Sequence, residues 1–319
     1  MNQTEALVLI PFLNAQRAKL EQTAPDWHFT YASRDTVTSG QLQRAVVIIG
    51  NPKASMLPAC SALAWLQIGS AGTDEYCSIL SPSIQFTNVT GAFGHAISEH
   101  MLACWLMLYK KLHLYRDNQQ YGLWKDCGQV RSIAGSTVLV IGMGDIGGQF
   151  AQKAKALGCR VIGVRRTSSE KPPFVDEIYT ADAIDSLLSQ ADVVALSLPN
   201  TPATNGLFHK KRLALLKPGA ILINVGRGNA IDTNALYAAL KEGKIGGAAL
   251  DVTDPEPLPA DHPLWRQPNV LITPHISGAF HLEQTRENML FICCENIRRY
   301  RAGKPLLNQI DFATGYRKK

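Results

Sequence analysis

Charge is scarce in this chain of 319 residues: Asp, Glu, Lys and Arg make up 18% of it, and the formal net charge is +6. Part of that excess is the tail Arg317-Lys318-Lys319. No block of Lys and Arg alternates with aromatics, which argues against nucleic acid as a partner. No apolar run reaches the roughly eighteen residues that a membrane span needs, so a membrane is not expected as a partner either. The seven cysteines are an odd number without C-x-x-C spacing, and two of them, Cys293 and Cys294, are adjacent. Buried reduced thiols in a cytosolic protein are the expectation, with no metal site. The opening Met1-Asn-Gln-Thr-Glu lacks the basic region of a signal peptide, which points to a cytoplasmic location. A hydrophobic content of 46% in a chain of this length is enough for two domains with cores of their own.

Against that background the stretch Val138-Leu-Val-Ile-Gly142-Met-Gly144-Asp-Ile-Gly147 stands out. A short Val/Ile-rich run ends in glycines at G-x-G-x-x-G spacing, and a helical pattern follows through Ile146, Phe150, Ala154 and Leu157. This predicts a buried parallel strand, a tight turn, and a helix whose free N–H groups face an anion. Gly142 permits the turn, Gly144 the approach of a pyrophosphate, and Gly147 close packing of helix on strand. A second strand, Arg160-Val-Ile-Gly-Val164, follows at the distance a dinucleotide-binding unit requires.

Apolar strands alternate with helical patterns on both sides of this unit. Leu7–Phe12, Ala45–Ile49, Leu63–Ile68 and Ser83–Thr87 read as strands of an N-terminal parallel sheet. The third runs straight into Gly69-Ser70-Ala71-Gly72, a turn whose N–H groups could meet a carboxylate. One long helix is predicted from His95 to Arg116, apolar on more than one face and so buried on two sides, between domains or subunits. Further strands end in Pro199, in Gly226-Arg227-Gly228, in Asp251, and in His275. Residues 137–275 thus form one doubly wound sheet, a final helix spans about Leu282 to Arg301, and the extended tail packs back on the N-terminal domain.

Ligands of open parallel sheets bind outside the carboxyl ends of the strands, so a chemistry is expected of the residues there. Reduction of a 2-oxo acid by a nicotinamide needs a cation for the carboxylate and carbonyl, and the planar fork of Arg suits it better than Lys. It needs an acid that gives the carbonyl oxygen a proton, and His titrates in the right range. A carboxylate beside that His orients the ring. Arg227, His275 and Glu256 are the candidates; singly each could be structural, jointly they point to one site. His28, His95, His100, His113, His209, His262 and His281 have no evident partner and stay unassigned.

The chain resembles the D-isomer-specific 2-hydroxyacid dehydrogenases over nearly its whole length. The resemblance is carried by Ile141-Gly-Met-Gly-Asp-Ile-Gly147, Leu198-Pro-Asn-Thr-Pro-Ala-Thr204 and Leu222-Ile-Asn-Val-Gly-Arg-Gly228. It continues in Ala249-Leu-Asp-Val252, Pro255-Glu-Pro-Leu-Pro259 and Thr273-Pro-His-Ile-Ser-Gly278. The ending Asp311-Phe-Ala-Thr-Gly315-Tyr316 resembles the terminus of the glyoxylate/hydroxypyruvate reductase branch. The fold class implied is α/β in two domains, a Rossmann-type doubly wound parallel sheet (95–282) inserted into a smaller flavodoxin-like substrate domain (1–94 and 283–319). By the same resemblance Arg227 orients the substrate, His275 is the acid/base, Glu256 is its partner, and Ser70, Ala71 and Gly72 cradle the substrate carboxylate. The cofactor is held by Gly142, Gly144, Asp145, Ile146, Gly147, Arg165, Arg166, Thr167, Leu198, Pro199, Thr204, Val225, Gly226, Asp251 and Ser277, with Asp251 on the nicotinamide amide. A homodimer built largely from the cofactor domain, closing over a small 2-oxo acid, is also implied.

Three positions depart from the pattern. The NAD-type fingerprint wants a carboxylate about twenty residues after the glycines, but the second strand ends Val164-Arg165-Arg166-Thr167-Ser168. Two guanidiniums there favour a 2′-phosphate, so NADP is expected over NAD. Asp145 brings negative charge near a pyrophosphate and is expected to point outward. Ser277 stands where alanine is common after the catalytic His and bears on substrate choice. The leading expectation is an NADP-preferring reductase of glyoxylate or hydroxypyruvate. A D-3-phosphoglycerate dehydrogenase and a dinucleotide-sensing corepressor are the alternatives, the former lowered by the lack of an extra regulatory domain and the latter by the intact Arg227, Glu256 and His275 set.

Overall fold

The computed structural model describes residues 3–166 and 171–318. Thr167, expected at the cofactor, lies outside the described residues, as does Ser168. The chain divides into two compact units, Met1–Phe93 with Phe280–Lys319, and Gly94–Ala279.

The first unit is built on a parallel sheet of strands β1 (Glu5–Val8), β2 (His28–Tyr31), β3 (Val47–Ile49), β4 (Trp65–Gln67) and β5 (Gln85–Thr87). Their order, β2-β1-β3-β4-β5, is that of a flavodoxin-like doubly wound sheet. Strands buried on both faces read as unbroken apolar runs, and Val47-Ile-Ile49 is fully buried. Helices α1 (Asn14–Thr23) and α2 (Ser39–Arg44) connect the first strands, and the long helix Glu283–Arg301 packs on α1. Ile310 of the tail bonds through its N–H to the Phe86 carbonyl, 2.8 Å, and sits in the same core as Leu7, Leu42, Ile48 and Leu66. The tail therefore does pack on the N-terminal sheet. β2 escaped the sequence reading because it is a polar edge strand, His-Phe-Thr-Tyr, with no buried residue.

The second unit begins with α3 (Gly94–Tyr109) and α4 (Leu112–Gln120). The single helix expected from His95 to Arg116 is thus two. The apolar spacing runs on through Leu112, but Lys111 turns left-handed at φ 57°. The Nζ of Lys110 bonds to the Arg131 carbonyl and that of Lys111 to the Cys127 carbonyl, which fastens the break to the link that follows. Ile97, Met101, Trp105 and Leu108 form the buried face of α3, while Leu102, Leu106 and Met107 are half-buried.

Seven parallel strands follow: β6 (Thr137–Ile141), β7 (Arg160–Arg165), β8 (Glu177–Thr180), β9 (Val193–Leu196), β10 (Ile221–Asn224), β11 (Gly247–Leu250) and β12 (Val270–Ile272). Between them run α5 (Asp145–Ala156), α6 (Ile184–Leu188), α7 (Lys210–Leu213) and α8 (Thr233–Lys241). The order β12-β11-β10-β9-β6-β7-β8 is a Rossmann-type winding. The chain works outward from β6 to β8, then crosses to β9 on the other side of β6, so the topological switch lies between β6 and β9. Alternate residues face opposite layers. Leu139 and Ile141 join Leu196 and Leu222 in one core cluster. On the α3 and α5 side, Trp105 packs on Phe150 with ring centroids 6.1 Å apart, both fully buried. Truncating either to Ala removes about 3–5 kcal/mol of stability.

Candidate active site

At the end of β6, Gly142 has φ +98°, and a Cβ there would stand 2.7 Å from the Ser197 carbonyl oxygen. Only glycine holds this turn without strain. Ser197 Oγ closes it by donating to the Gly142 carbonyl at 2.7 Å. A Cβ on Gly147 would meet that same carbonyl oxygen at 2.0 Å, so the helix lies hard against the strand end. Gly144, the N-cap of α5, has nothing within 4 Å of the position its Cβ would take. The first and third glycines are thus fixed by the protein, and the second borders open space beside a helix N-terminus, where the N–H groups of the first turn attract anions.

Asp145 does not point outward. One carboxylate oxygen accepts the N–H of Gly94 at 2.9 Å and the other the amide of Gln149 at 3.0 Å. Its charge is spent on the first residue of α3. A Cβ on Gly94 would collide with that carboxylate, 2.3 Å from Oδ1. Of the pair after the next strand, Arg165 ends β7 half-buried and Arg166 is exposed.

The turn after β10 is wedged between two others. A Cβ on Gly226 would stand 2.5 Å from the Leu198 carbonyl oxygen, and one on Gly228 1.9 Å from that of Thr253. Asn224, buried in an otherwise apolar strand, reaches forward: Nδ2 donates to the Arg227 carbonyl at 2.9 Å and Oδ1 accepts the Gly226 N–H at 3.1 Å. Arg227 between the glycines is extended, with Nη1 on the Gly226 carbonyl at 2.8 Å. Val225 is buried, its N–H on the Leu196 carbonyl. Thr204 Oγ1 donates to the Pro199 carbonyl at 2.7 Å, so its hydroxyl fastens the turn that follows Leu198.

Asp251, after β11, is 3% exposed and organises the turn after β12. Its Oδ1 accepts from Thr273 Oγ1 at 2.6 Å and from the N–H of Ile276 at 2.9 Å. Its Oδ2 accepts the N–H of Ser277 at 3.1 Å and a short bond from Ser277 Oγ. Burial pushes the carboxyl up, but the bonds from Ser277, Thr273 and the backbone outweigh it and hold the group below its usual range. Ser277 Oγ is therefore on Asp251.

His275 sits at the head of that turn in a left-handed conformation, φ 51°, with its N–H on the Asp251 carbonyl at 2.8 Å. A non-glycine residue held there costs free energy that the surrounding bonds offset. Its Nδ1 lies 2.7 Å from Glu256 Oε1, both side chains about half exposed. Glu256 comes from the Pro-rich loop after β11 and also accepts the N–H of Thr253 at 3.4 Å. A carboxylate accepts only, so Nδ1 carries the proton in this bond, and Nε2 is the nitrogen left to exchange a proton with a ligand.

In the first unit Ser70, Ala71 and Gly72 form the turn after β4. Asn51 holds its start, with Oδ1 accepting the Gly69 N–H at 2.9 Å and Nδ2 donating to Ser70 Oγ at 3.0 Å. Asn88 Nδ2 donates to the Ala71 carbonyl at 2.8 Å, and Ser70 Oγ to that of Gly72 at 2.9 Å. The turn's carbonyls are thus engaged, and among the described residues the N–H groups of Ala71 and Gly72 meet no acceptor.

Sequence reasoning left Asn51, Asn224, Thr273 and His100 without a role. Asn224 was legible as a polar residue inside an apolar strand. The others carry no local signal. The expectation that the remaining histidines lack partners is corrected: His100 Nε2 lies 3.2 Å from Thr273 Oγ1, His28 meets Glu5 at 2.8 Å, and His95 meets Glu99 at 3.1 Å.

A doubly wound sheet with glycines at 142, 144 and 147 of its switch-point turn, and with an arginine, a carboxylate–histidine pair and a buried aspartate after its other strands, has the frame of a nucleotide-binding oxidoreductase. Comparison with known proteins gives the family. The model of the NAD binding domain of D-isomer specific 2-hydroxyacid dehydrogenases matches residues 102–277. A D-isomer specific 2-hydroxyacid dehydrogenase family protein from Aeromonas salmonicida has a similar structure, with TM-score 0.86, 36% identity, and 97% of this chain and 100% of that one covered. A D-isomer specific 2-hydroxyacid dehydrogenase from Xanthobacter autotrophicus, solved with NADPH and MES, gives TM-score 0.84 at 30% identity over 98% of this chain and 100% of that one. A glyoxylate reductase from Aeropyrum pernix is 30% identical over 270 residues, 81% of this chain and 78% of that protein.

The chain belongs to the D-isomer specific 2-hydroxyacid dehydrogenase family. It is an NAD(P)-dependent enzyme acting on small 2-hydroxy or 2-oxo acids. Among the described residues no helix is long and apolar enough to cross a membrane.

Proposed function

We propose that the chain is an NADP-preferring reductase of small 2-oxo acids, glyoxylate or hydroxypyruvate, with Arg227, Glu256 and His275 as its catalytic residues. The observation that carries the reading is the 2.7 Å contact of Glu256 with His275 Nδ1, on the same sheet as the glycine turn. A dinucleotide fits the residues present: the open side of Gly144 admits a pyrophosphate to the α5 N-terminus, while the backbone beside Gly142 and Gly147 leaves no room for side chains. Gly142, Gly144, Ile146 and Gly147 would line the pyrophosphate, Leu198, Pro199, Val225, Gly226 and Asp251 the ring end. The 2′-phosphate would fall to Arg165 and Arg166, since β7 ends without a carboxylate.

A nicotinamide held there would supply the hydride. Everything else is done by the chain. The Arg227 guanidinium binds the substrate carboxylate and polarises the carbonyl with a bidentate fork. His275 donates the proton on Nε2 to the carbonyl oxygen, and Glu256 fixes the ring through Nδ1. The N–H groups of Ala71 and Gly72, with Ser70, give the substrate carboxylate a second set of donors. Asp251, whose carboxylate already holds four donors, serves first to shape the turn that carries His275 and Ser277. We also propose that the enzyme acts as a homodimer in the cytoplasm. The half-buried second face of α3 and the exposed Leu112, Leu123 and Trp124 beyond it are the apolar surface such a dimer would cover.

The test is oxidation of NADPH and of NADH by the purified protein with a panel of 2-oxo acids. Turnover of glyoxylate or hydroxypyruvate, faster with NADPH, is the expected result. Efficient oxidation of 3-phosphoglycerate with NAD in its place would move the enzyme to the phosphoglycerate dehydrogenases. Dinucleotide binding without turnover of any 2-oxo acid would make it a sensor.

A further inference from the structure

Four hydrogen bonds to the Asp251 carboxylate come from the residues that flank His275, namely Thr273, Ile276 and Ser277, and the His275 N–H itself goes to the Asp251 carbonyl. The turn that aims His275 is therefore strung on one buried anion. One of its bonds has a further partner on another element. Thr273 Oγ1 is 2.6 Å from Asp251 Oδ1 and 3.2 Å from His100 Nε2, on α3. We propose that His100 is a positioning residue of the reaction: it donates from Nε2 to Thr273, commits the Thr273 hydroxyl proton to Asp251, and so holds the turn that presents His275. The proposal rests on the reading of His275 as proton donor.

The direction of each bond follows from donor counting. A threonine hydroxyl has one proton and two lone pairs, and an ionised carboxylate only accepts. Asp251 is kept ionised: burial pushes its carboxyl up, but the bonds from Ser277, Thr273 and the backbone pull it below the usual range. The Thr273 proton therefore points at Asp251, and what faces His100 is a lone pair. His100 must meet it with Nε2–H. Its other neighbour at Nε2, Cys104 Sγ at 3.5 Å, does not compete for that assignment. Burial first, and the charge of Asp251 second, push the Cys104 thiol up to about 11, so it stays a neutral thiol, weak both as donor and as acceptor, and the lone pair of Thr273 decides where the Nε2 proton lies. Without the His100 donor, the Thr273 hydroxyl is free to rotate, and Asp251 loses the side-chain donor that lies N-terminal to His275 in the turn.

The experiment uses the full-length enzyme and the variants His100→Ala, His100→Gln, Thr273→Val and Thr273→Ser, with His275→Ala as control. His100→Ala and Thr273→Val should lower kcat by about tenfold, the loss expected of one partly buried hydrogen bond, while Kd for NADPH holds. His100→Gln and Thr273→Ser, which keep the donor and the hydroxyl, should recover most of it. In unligated enzyme carrying 15N-histidine, His100 should show the Nε2-protonated tautomer, and the His275 ring signals should move in His100→Ala and return in His100→Gln. Wild-type kcat in His100→Ala overturns the proposal. So does an equal loss in His100→Ala and His100→Gln with the His275 signals unmoved, which marks a packing role. A near-normal rate in His275→Ala instead overturns the reading beneath it. The tautomer of His100 and the response of the His275 signals then still decide whether the contact positions the turn.

Discussion

The two units bury polar groups of different kinds. Among the described residues, the buried polar side chains of the first are all uncharged: Gln16, Gln67, Thr73, Thr87, Asn88, Thr285 and Asn296. They form neutral chains such as Trp65 Nε1 to Thr87 Oγ1 at 2.8 Å, Thr87 Oγ1 to Gln67 Oε1 at 2.9 Å, and Asn296 Nδ2 to the same oxygen at 2.7 Å. The second unit buries Ser98, Ser136 and Asn224 but also two carboxylates, Asp192 and Asp251. Asp192 ties Arg131 at 3.0 Å, Lys217 at 2.7 Å and the N–H of Thr137 at 2.9 Å at the amino end of the sheet, and Asp251 organises its carboxyl end. Two parallel sheets of similar plan thus differ in what they bury. One carries its buried bonds on neutral side chains; the other organises each end around a buried anion, which is costly unless every oxygen is satisfied.

The sharpest way to break this division is to remove the charged chemistry from the second unit alone. His275→Ala should lower kcat for 2-oxo acid reduction by roughly 10²–10⁴-fold, with the first unit and the cofactor affinity intact. A near-normal rate would reject its role as acid. Next come the glycines. Gly228→Ala and Gly147→Ala place a Cβ at 1.9 and 2.0 Å from backbone oxygens. Each should cost at least the roughly 1–3 kcal/mol of an overpacked site, seen as a lower Tm. Gly144→Ala, with φ −79° and open space, should leave Tm alone and weaken NADPH binding. If both kinds of substitution lowered Tm equally, the open side of Gly144 would not be a ligand approach.

Smaller effects separate the cofactors and the two units. Arg166→Asp should raise Kd for NADPH by about tenfold or more, the worth of a charge-assisted hydrogen bond, and that for NADH much less. Equal changes would remove the 2′-phosphate argument. Acid should act first on the second unit. Asp251 is held below its usual range as described, and so is Asp192, where burial is outweighed by Lys217, Thr137 and Arg131. A carboxylate whose pKa is depressed by folding stabilises the protein fully above its unfolded value, about 3.9, and that stabilisation fades as pH falls through it toward the lower folded value. Amide exchange should therefore show β6 and β11 losing protection at a higher pH than β3 and β4. Asp192→Asn should lessen the difference.

What could be read in the sequence was what is local. The strand, glycine turn and helix at 137–156 declare themselves because a buried parallel strand is an apolar run and the turn admits no side chain at Gly142 or Gly147. Two edge strands, β2 and β8, were illegible because exposed edges carry His, Thr, Glu and Tyr rather than a run of Val and Ile. The break at Lys111 is set by carbonyls of residues 127 and 131, which no helical periodicity reports. Asp145 shows the same limit. Its neighbours in sequence suggested a charge turned outward, but its partner is Gly94, fifty-one residues away. Likewise the residue types at 227, 256 and 275 suggested a chemistry, while the Thr273 link to His100 spans 173 residues and needed coordinates.

The most direct measurement is the fate of the transferred hydrogen. Reduction of hydroxypyruvate by NADPH deuterated at the transferable C4 position should give glycerate with deuterium on C2 and the D configuration, and His275→Ala should form it far more slowly. Glycerate of the L configuration, deuterium lost to solvent, or no reduction of any 2-oxo acid by enzyme that binds NADPH would contradict the account.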